Sequence, residues 1–156
     1  MAGRVHQINV SGGGVPKLPV DEAQITFSGV SGDRQADLRY HGGPDQKVCL
    51  YSLEVIEGLR AEGHPIDPGS AGENLTLSGF DWTRVTPGAQ LRIGQALIEV
   101  TYPAVPCAKN ARWFKDGKFS RILESRHPGW SRMYGRVLEE GHVAVGDPAA
   151  LVTDPR

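Results

Sequence analysis

The sequence has no long hydrophobic run: no apolar stretch approaches the roughly 18 residues of a membrane-spanning helix, and no apolar signal segment lies near the N-terminus. Cysteine is almost absent, with only Cys49 and Cys107 in 156 residues. Two thiols are too few for a four-cysteine zinc site or for holding an iron–sulfur cluster alone. Without a secretory signal, a structural disulfide is not expected either. These absences predict a soluble, cytoplasmic protein that has no membrane partner.

An excess of either charge is also lacking. The formal net charge is −1, so the composition does not indicate a nucleic-acid partner. Hydrophobic residues make up 39% and charged residues 22% of the chain, which is typical of a globular protein. The 20 glycines and 11 prolines indicate many tight turns and therefore a β-rich fold. The length fits one domain over residues 1–156.

Several catalytic and nucleotide-binding motifs are missing. The chain has no GxGxxG, GxSxG, HExxH or CxxC motif. The stretch GGGVPK, which ends at Lys17, lacks the spacing of a phosphate-binding P-loop, and Pro16 occupies a position that needs a backbone donor. The glycines still expose N–H groups that can bind an anion. The stretch is therefore either an anion-binding loop or a plain glycine-rich turn.

Alternating apolar residues and turn signals predict a strand about every ten residues. The predicted strands cover residues 4–10, 25–30, 46–51, 74–77, 90–93, 97–102, 130–138 and 143–152, with a hairpin turn at 94–95 and an interruption at 146–148. One helix is predicted over residues 53–62, since Ser52 is a good N-cap and Gly63 suits the position after the end. Weaker helical segments are predicted over residues 108–115 and 120–124. Such a pattern favours a barrel or a sandwich.

Cys107 is the stronger candidate for chemistry of the two cysteines. A proline precedes it and a helical, basic segment follows, and both a helix N-terminus and nearby cations stabilise a thiolate. A thiolate attacks electrophiles, carries a persulfide sulfur or ligates a soft metal. The alternative, a buried and inert thiol, is left equally open by the local sequence. Cys49 lies inside a predicted strand and is interpreted as a core residue.

Positive charge is concentrated in the segment that follows Cys107. Residues 105–136 contain only two acidic side chains, Asp116 and Glu124, against eight basic ones. The basic residues are Lys109, Arg112, Lys115, Lys118, Arg121, Arg126, Arg132 and Arg136. This concentration predicts an anionic ligand. The alternative is a solvated charged face.

Three polar turns complete the set of candidate site residues. Asp33 and the pair Glu73-Asn74 lie beside glycines, where they either bind a ligand or satisfy the backbone of their own loops. The third turn contains His41, Gly42 and Gly43. Its glycines permit close backbone approach, and its histidine can donate a hydrogen bond.

Taken in order along the chain, these pieces resemble one known family. The pieces are GGVPK, GxxGD at 29–33, HGGPD, GxxGENL at 69–75, LRIG and PCxK at 106–109. Over residues 4–152 the chain resembles the MOSC domain, named after the C-terminus of molybdenum cofactor sulfurase, in its stand-alone bacterial form. The resemblance implies a mainly β, MOSC-like barrel with a few short peripheral helices. It also implies binding of the molybdenum cofactor, molybdopterin, an anionic pterin dithiolene with a phosphate.

The resemblance further implies roles for the candidate residues. The cysteine that matches Cys107 in this family is taken to receive a sulfur or to ligate molybdenum, and thiolates suit that metal. His41 is expected to line the site as a second catalytic residue, close to the Cys107 thiol. The expected cofactor-binding residues are Lys17, Asp33, Gly42, Gly43, Glu73, Asn74, Lys109, Arg112 and Arg121.

Related proteins reduce N-hydroxylated small molecules, so the resemblance implies a molybdenum-dependent reductase. The chain lacks an iron–sulfur domain, so a separate protein is expected to donate the electrons. Ala104 and Val105 stand where reductases of hydroxylated purines usually have an arginine, which leaves the substrate open. Two alternatives stand beside this reading: a sulfur carrier that holds a persulfide on Cys107, and a non-catalytic module that binds a phosphorylated ligand.

Overall fold

The computed structural model describes residues 3–33 and 44–153, and strands dominate them. Within these residues the strands are β1 (Gly3–Val10), β2 (Leu18–Val20), β3 (Glu22–Thr26), β4 (Gly29–Val30), β5 (Val48–Ser52), β6 (Leu75–Ser78), β7 (Gln90–Ile93), β8 (Ala96–Pro103), β9 (Met133–Glu139), β10 (Gly141–Ala144) and β11 (Pro148–Thr153). The α-helix is α1 (Leu53–Ala61). Short 3₁₀ segments are Pro44–Gln46, Trp82–Arg84, Ala108–Trp113, Lys115–Gly117 and Phe119–Ile122.

Seven strands close into a barrel in the order β11-β7-β8-β9-β5-β6-β1. The closing pair is antiparallel, with Gly3 opposite Ala149 and Arg4 opposite Pro148. Strand β2 extends the sheet beyond β1, and β10, β3 and β4 form a separate three-stranded sheet. The mainly β barrel with short peripheral helices is thereby confirmed. The organisation of residues 1–156 as one domain stays a prediction.

The β5-α1-β6 crossover contains the parallel pair of the barrel. All five residues of β5 are buried, as expected for a strand covered on both faces. Helix α1 begins where the Ser52 side chain accepts a hydrogen bond from the backbone N–H of Val55 at 3.1 Å. It ends before Gly63, whose φ of +99° suits glycine. The helix predicted over 53–62 is therefore confirmed to within one residue.

Two predicted elements differ from the structure. Residues 25–30 are not one strand, because the chain reverses between Thr26 and Gly29, which pair across a tight hairpin. The segment after Cys107 forms a 3₁₀ turn over Ala108–Trp113 and not a helix through residue 115, because Phe114 is extended and buried. Among residues 3–33 and 44–153, no helix combines the length and apolar character needed to cross a membrane.

Candidate functional site

A cavity of about 90 Å³ lies where five segments of the chain meet. Its walls come from the GGGVPK loop, strand β5, the turn before β6, the segment around Cys107 and the start of β9. The lining residues are Gly14, Val15, Lys17, Cys49, Ala71, Gly72, Asn74, Val105, Cys107, Lys109, Asn110, Arg132 and Tyr134. Four residues expected at the site thus line one cavity: Lys17, Asn74, Cys107 and Lys109.

Asp33 holds one wall of the cavity together. The Lys17 ammonium donates to both carboxylate oxygens of Asp33, at 2.6 and 2.7 Å, and both side chains are more than nine-tenths buried. The Asn74 amide donates to the same carboxylate at 2.9 Å and accepts from the backbone N–H of Cys49 at 2.9 Å. Asp33 is therefore committed to protein partners, and its charge offsets that of Lys17.

Glycines of the GxxGENL stretch let the turn before β6 lie against the GGGVPK loop. Gly69 has φ of +86°, and a Cβ on it would come within 2.5 Å of the Lys17 carbonyl oxygen. Gly72 has φ of +99°, and a Cβ there would come within 2.9 Å of Val15. Only glycine tolerates both the backbone conformation and the close contact. These two positions explain the motif in structural terms.

Cys107 is an exposed, free thiol at the mouth of the cavity. Its backbone N–H donates to the side-chain oxygen of Asn110 at 3.1 Å, and the Asn110 N–H donates back to the Cys107 carbonyl at 2.9 Å. The Asn110 amide also donates to the Ala71 carbonyl at 3.2 Å. Buried Asn110 therefore fastens the Cys107 turn to the opposite wall and keeps the thiol at the opening.

Cys49 forms part of the cavity floor while remaining 94% buried, at 6% exposure. Burial raises the pKa of its thiol to about 11, although the Arg132 charge opposes that rise. The thiol is therefore protonated at neutral pH and packs with Ala104 and Tyr134 in a small apolar cluster. The interpretation of Cys49 as a core residue is confirmed. The structure also shows that Cys49 lines the cavity, which the sequence did not indicate.

Arg132 lines the cavity but is not among the site residues expected from the motifs. Its side chain is buried, at 7% exposure, and its Nη1 donates to the Ala71 carbonyl at 2.8 Å. Its Nε is buried with no hydrogen-bond partner in the described part of the chain. The one feature of the sequence that indicates burial of Arg132 is its position beside the apolar start of β9, where a solvated arginine is unusual.

Three other expected cofactor-binding residues do not line this cavity. The Arg112 guanidinium lies 4.3 Å from the centroid of the Trp113 ring. Arg121 donates two hydrogen bonds to the Glu62 carboxylate, at 2.8 and 2.7 Å, and stacks over Trp130. With these contacts, both side chains have partners away from the cavity walls.

Glu73, the third of these residues, is fully buried beside the turn at residues 69–72. Its Oε2 accepts hydrogen bonds from the Gly69 N–H and the Thr76 hydroxyl, both at 2.9 Å. Burial raises the pKa of this carboxyl. Its Oε2 is thus bonded within the turn, while its Oε1 is buried without a hydrogen-bond partner in the described part of the chain.

The expected site also includes the HGG stretch at residues 41–43. His41, Gly42 and Gly43 lie outside the described residues. Within the described ranges, no group of three or more His, Cys, Asp or Glu side chains is arranged to hold a metal ion.

Known proteins are similar to this chain in sequence and in fold. The family model described as "MOSC domain" matches residues 37–150. The chain is 36% identical over 142 residues to the uncharacterized protein YflK of Bacillus subtilis and 31% identical over 145 residues to protein YiiM of Escherichia coli. These alignments cover 90% and 89% of this chain, which spans 63% of the length of each of these relatives.

A solved structure agrees with the sequence comparison. The crystal structure of YiiM from Geobacillus stearothermophilus superposes with a TM-score of 0.75 at 28% identity. The superposition covers 97% of this chain and 75% of that structure.

Proposed function

This chain belongs to the MOSC domain family, and from that premise we propose that it binds the molybdenum cofactor and reduces N-hydroxylated small molecules, with Cys107 as the molybdenum ligand. The observation that carries the proposal is the exposed Cys107 thiol at the mouth of a cavity with cationic walls. Its cytoplasmic location stays a prediction.

The residues present fit such a cofactor. A thiolate is a suitable ligand for molybdenum. Lys17, Lys109 and Arg132 offer positive charge to a phosphate, and no Asp or Glu is among the lining residues of the described part. The unpartnered Arg132 Nε is the kind of buried donor that an anionic group can help satisfy.

When bound, the cofactor would supply the two-electron chemistry that reduces an N–O bond, with electrons from a separate donor protein. The protein's own residues would bind the cofactor and orient it in the cavity. Asn110 holds the Cys107 turn, and Asp33 holds the Lys17 ammonium against the cavity wall. Residues 41–43 are proposed to complete the site from the HGG turn, with His41 donating a hydrogen bond to a ligand oxygen.

Molybdenum content tests the ligand assignment directly. The full chain, Cys107→Ala and Cys49→Ala are produced in a host that makes the cofactor, and metal and pterin are measured per protein. We expect Cys107→Ala to lose at least about tenfold in molybdenum, while Cys49→Ala retains it because the Cys49 thiol is buried and protonated. Equal molybdenum in the wild type and Cys107→Ala contradicts the proposal.

The exposed, free Cys107 also favours a second candidate, a sulfur carrier with a persulfide on that thiol. Mass spectrometry separates the two candidates: a sulfur adduct on Cys107 without reductase activity supports the carrier. A third candidate, a non-catalytic module for a phosphorylated ligand, requires that Cys107→Ser leave ligand affinity unchanged.

A further inference from the structure

Arg132 is a buried cation whose Nε has no hydrogen-bond partner in the described part of the chain. A guanidinium has five N–H donors. In the described part of the chain, the one hydrogen bond of this side chain runs from Nη1 to the Ala71 carbonyl. Nε is buried without a partner, and the residue as a whole is 7% exposed. A buried charge left in this state is costly, and an anion is the partner that best offsets the cost.

No carboxylate among the described residues forms an ion pair with Arg132, although the charge of buried Glu73 acts on it. The Oε2 of Glu73 accepts from Gly69 and Thr76, and its Oε1 is buried without a hydrogen-bond partner in the described part, so neither oxygen is bonded to Arg132. Asp33 is paired with Lys17 at 2.6 Å. Arg132 thus lines the cavity without a carboxylate bonded to it in the described part of the chain.

We propose that Arg132 is the anchor of an oxyanion site in this cavity, for a phosphate or carboxylate group. The planar guanidinium forms paired hydrogen bonds with such groups, which a lysine cannot reproduce. The exposed Lys109 at the rim adds a second cation. This inference rests on the proposed function only for the source of the anion, which is either the phosphate of the cofactor or an anionic substituent of the substrate.

The site is tested with inorganic phosphate as the probe. Calorimetric titration of the full chain, purified without cofactor at low ionic strength, is compared with Arg132→Gln, Arg132→Lys and Arg136→Gln. Arg136→Gln is the matched control because this substitution removes the same charge from the same basic segment. Arg136 is exposed, pairs with Glu99 at 3.0 Å and does not line the cavity. Thermal unfolding checks that each variant folds.

We expect saturable binding of phosphate by the wild type and a loss of at least about tenfold in affinity in Arg132→Gln, with Arg136→Gln within about twofold of the wild type. If Arg132→Gln does not fold, the phosphate affinity of Arg132→Lys tests the proposal. A weaker affinity than that of the wild type supports the oxyanion site, and an unchanged affinity overturns it. No saturable binding by the wild type, or equal losses in Arg132→Gln and Arg136→Gln, also overturns it.

The source of the anion is separated by cofactor content. Loss of both phosphate binding and pterin in Arg132→Gln assigns the site to the cofactor, whereas loss of phosphate binding with normal pterin assigns it to the substrate. The two proposals also fail separately. If neither wild type nor Cys107→Ala holds molybdenum but both bind phosphate through Arg132, the reductase proposal falls and the oxyanion site stands.

Discussion

At the scale of single residues, the two cysteines have the same side chain in different environments. Cys107 is exposed at the mouth of the cavity, while Cys49 is 6% exposed at its floor. Burial raises the pKa of the Cys49 thiol from its ordinary value of 9.0 to about 11. A protonated thiol is a poor nucleophile and metal ligand. Of the two thiols, Cys107 is the accessible one.

The raised pKa of Cys49 predicts a loss of stability at alkaline pH. The thiol is neutral below pH 9.0, so its environment carries no penalty there. Between pH 9.0 and about 11 the unfolded chain loses this proton before the folded chain does, so stability falls as pH rises through that window. The contribution is up to roughly 3 kcal/mol, at about 1.4 kcal/mol per pKa unit.

Urea unfolding of wild type and Cys49→Ala at pH 8 and at pH ~10.5 measures this contribution. The variant is expected to be less stable at pH 8, because it leaves a small cavity, but to lose less stability between the two pH values. Burial also raises the pKa values of Tyr51 and Tyr134, and both tyrosines are present in the wild type and in the variant. Identical pH dependence of the two proteins would contradict the prediction.

At the scale of elements, the cavity depends on turns more than on strands. The turn at 69–72 lies against the GGGVPK loop, where the Lys17 N–H donates to the Gly69 carbonyl at 2.9 Å. Asn110 and Arg132 both donate to the Ala71 carbonyl of the same turn. One short segment therefore receives contacts from three others, and its backbone conformation positions the cavity walls.

Replacing Gly69 with alanine tests that role. The Cβ would lie 2.5 Å from the Lys17 carbonyl oxygen at a residue with φ of +86°, so we expect a loss of at least about 2 kcal/mol in unfolding free energy. Gly12→Ala is the control, because nothing lies within 4 Å of a Cβ there and its φ is not positive. Its expected change is within about 0.5 kcal/mol. Equal effects of the two substitutions in urea unfolding would refute this account.

At the scale of the whole molecule, barrel closure brings the N-terminal and C-terminal strands together. Ala149 on β11 lies between Gly3 of β1 and Ile93 of β7, so one residue contacts both neighbours across the closing seam. The core inside is continuous across the barrel, the helix and the small sheet. Closure leaves no open edge between β1 and β11.

Ala149→Pro is expected to open this seam. Proline lacks the backbone donor and is not tolerated inside a paired strand, so we expect a loss of about 3 kcal/mol or more in unfolding free energy. Val152→Pro is a milder control, because Val152 is exposed and lies at an irregularity in the β7–β11 pairing. Urea unfolding of both variants provides the measurement, and a loss below about 1 kcal/mol in Ala149→Pro would count against the closure argument.

Local sequence predicts elements whose signals are local. Ser52 and Gly63 mark the ends of α1 because a cap and a positive φ depend only on neighbouring backbone. The turn at 94–95 is confirmed by the pairing of Ile93 with Ala96. The strand predicted over 25–30 is wrong because the alternation continues through residues that form a two-residue turn. Periodicity alone does not separate a strand from a tight hairpin.

The ordered motifs of the sequence identified the family and, through the family, the barrel, because a motif is recognised from residue types at short spacing. Tertiary structure decided which cations face the cavity. Arg121 forms an ion pair with Glu62, 59 residues away, whereas Arg132 donates to the Ala71 carbonyl, 61 residues away, and lines the cavity. Two arginines of one basic segment thus have different environments, because burial and pairing depend on chain segments that meet only when the barrel closes.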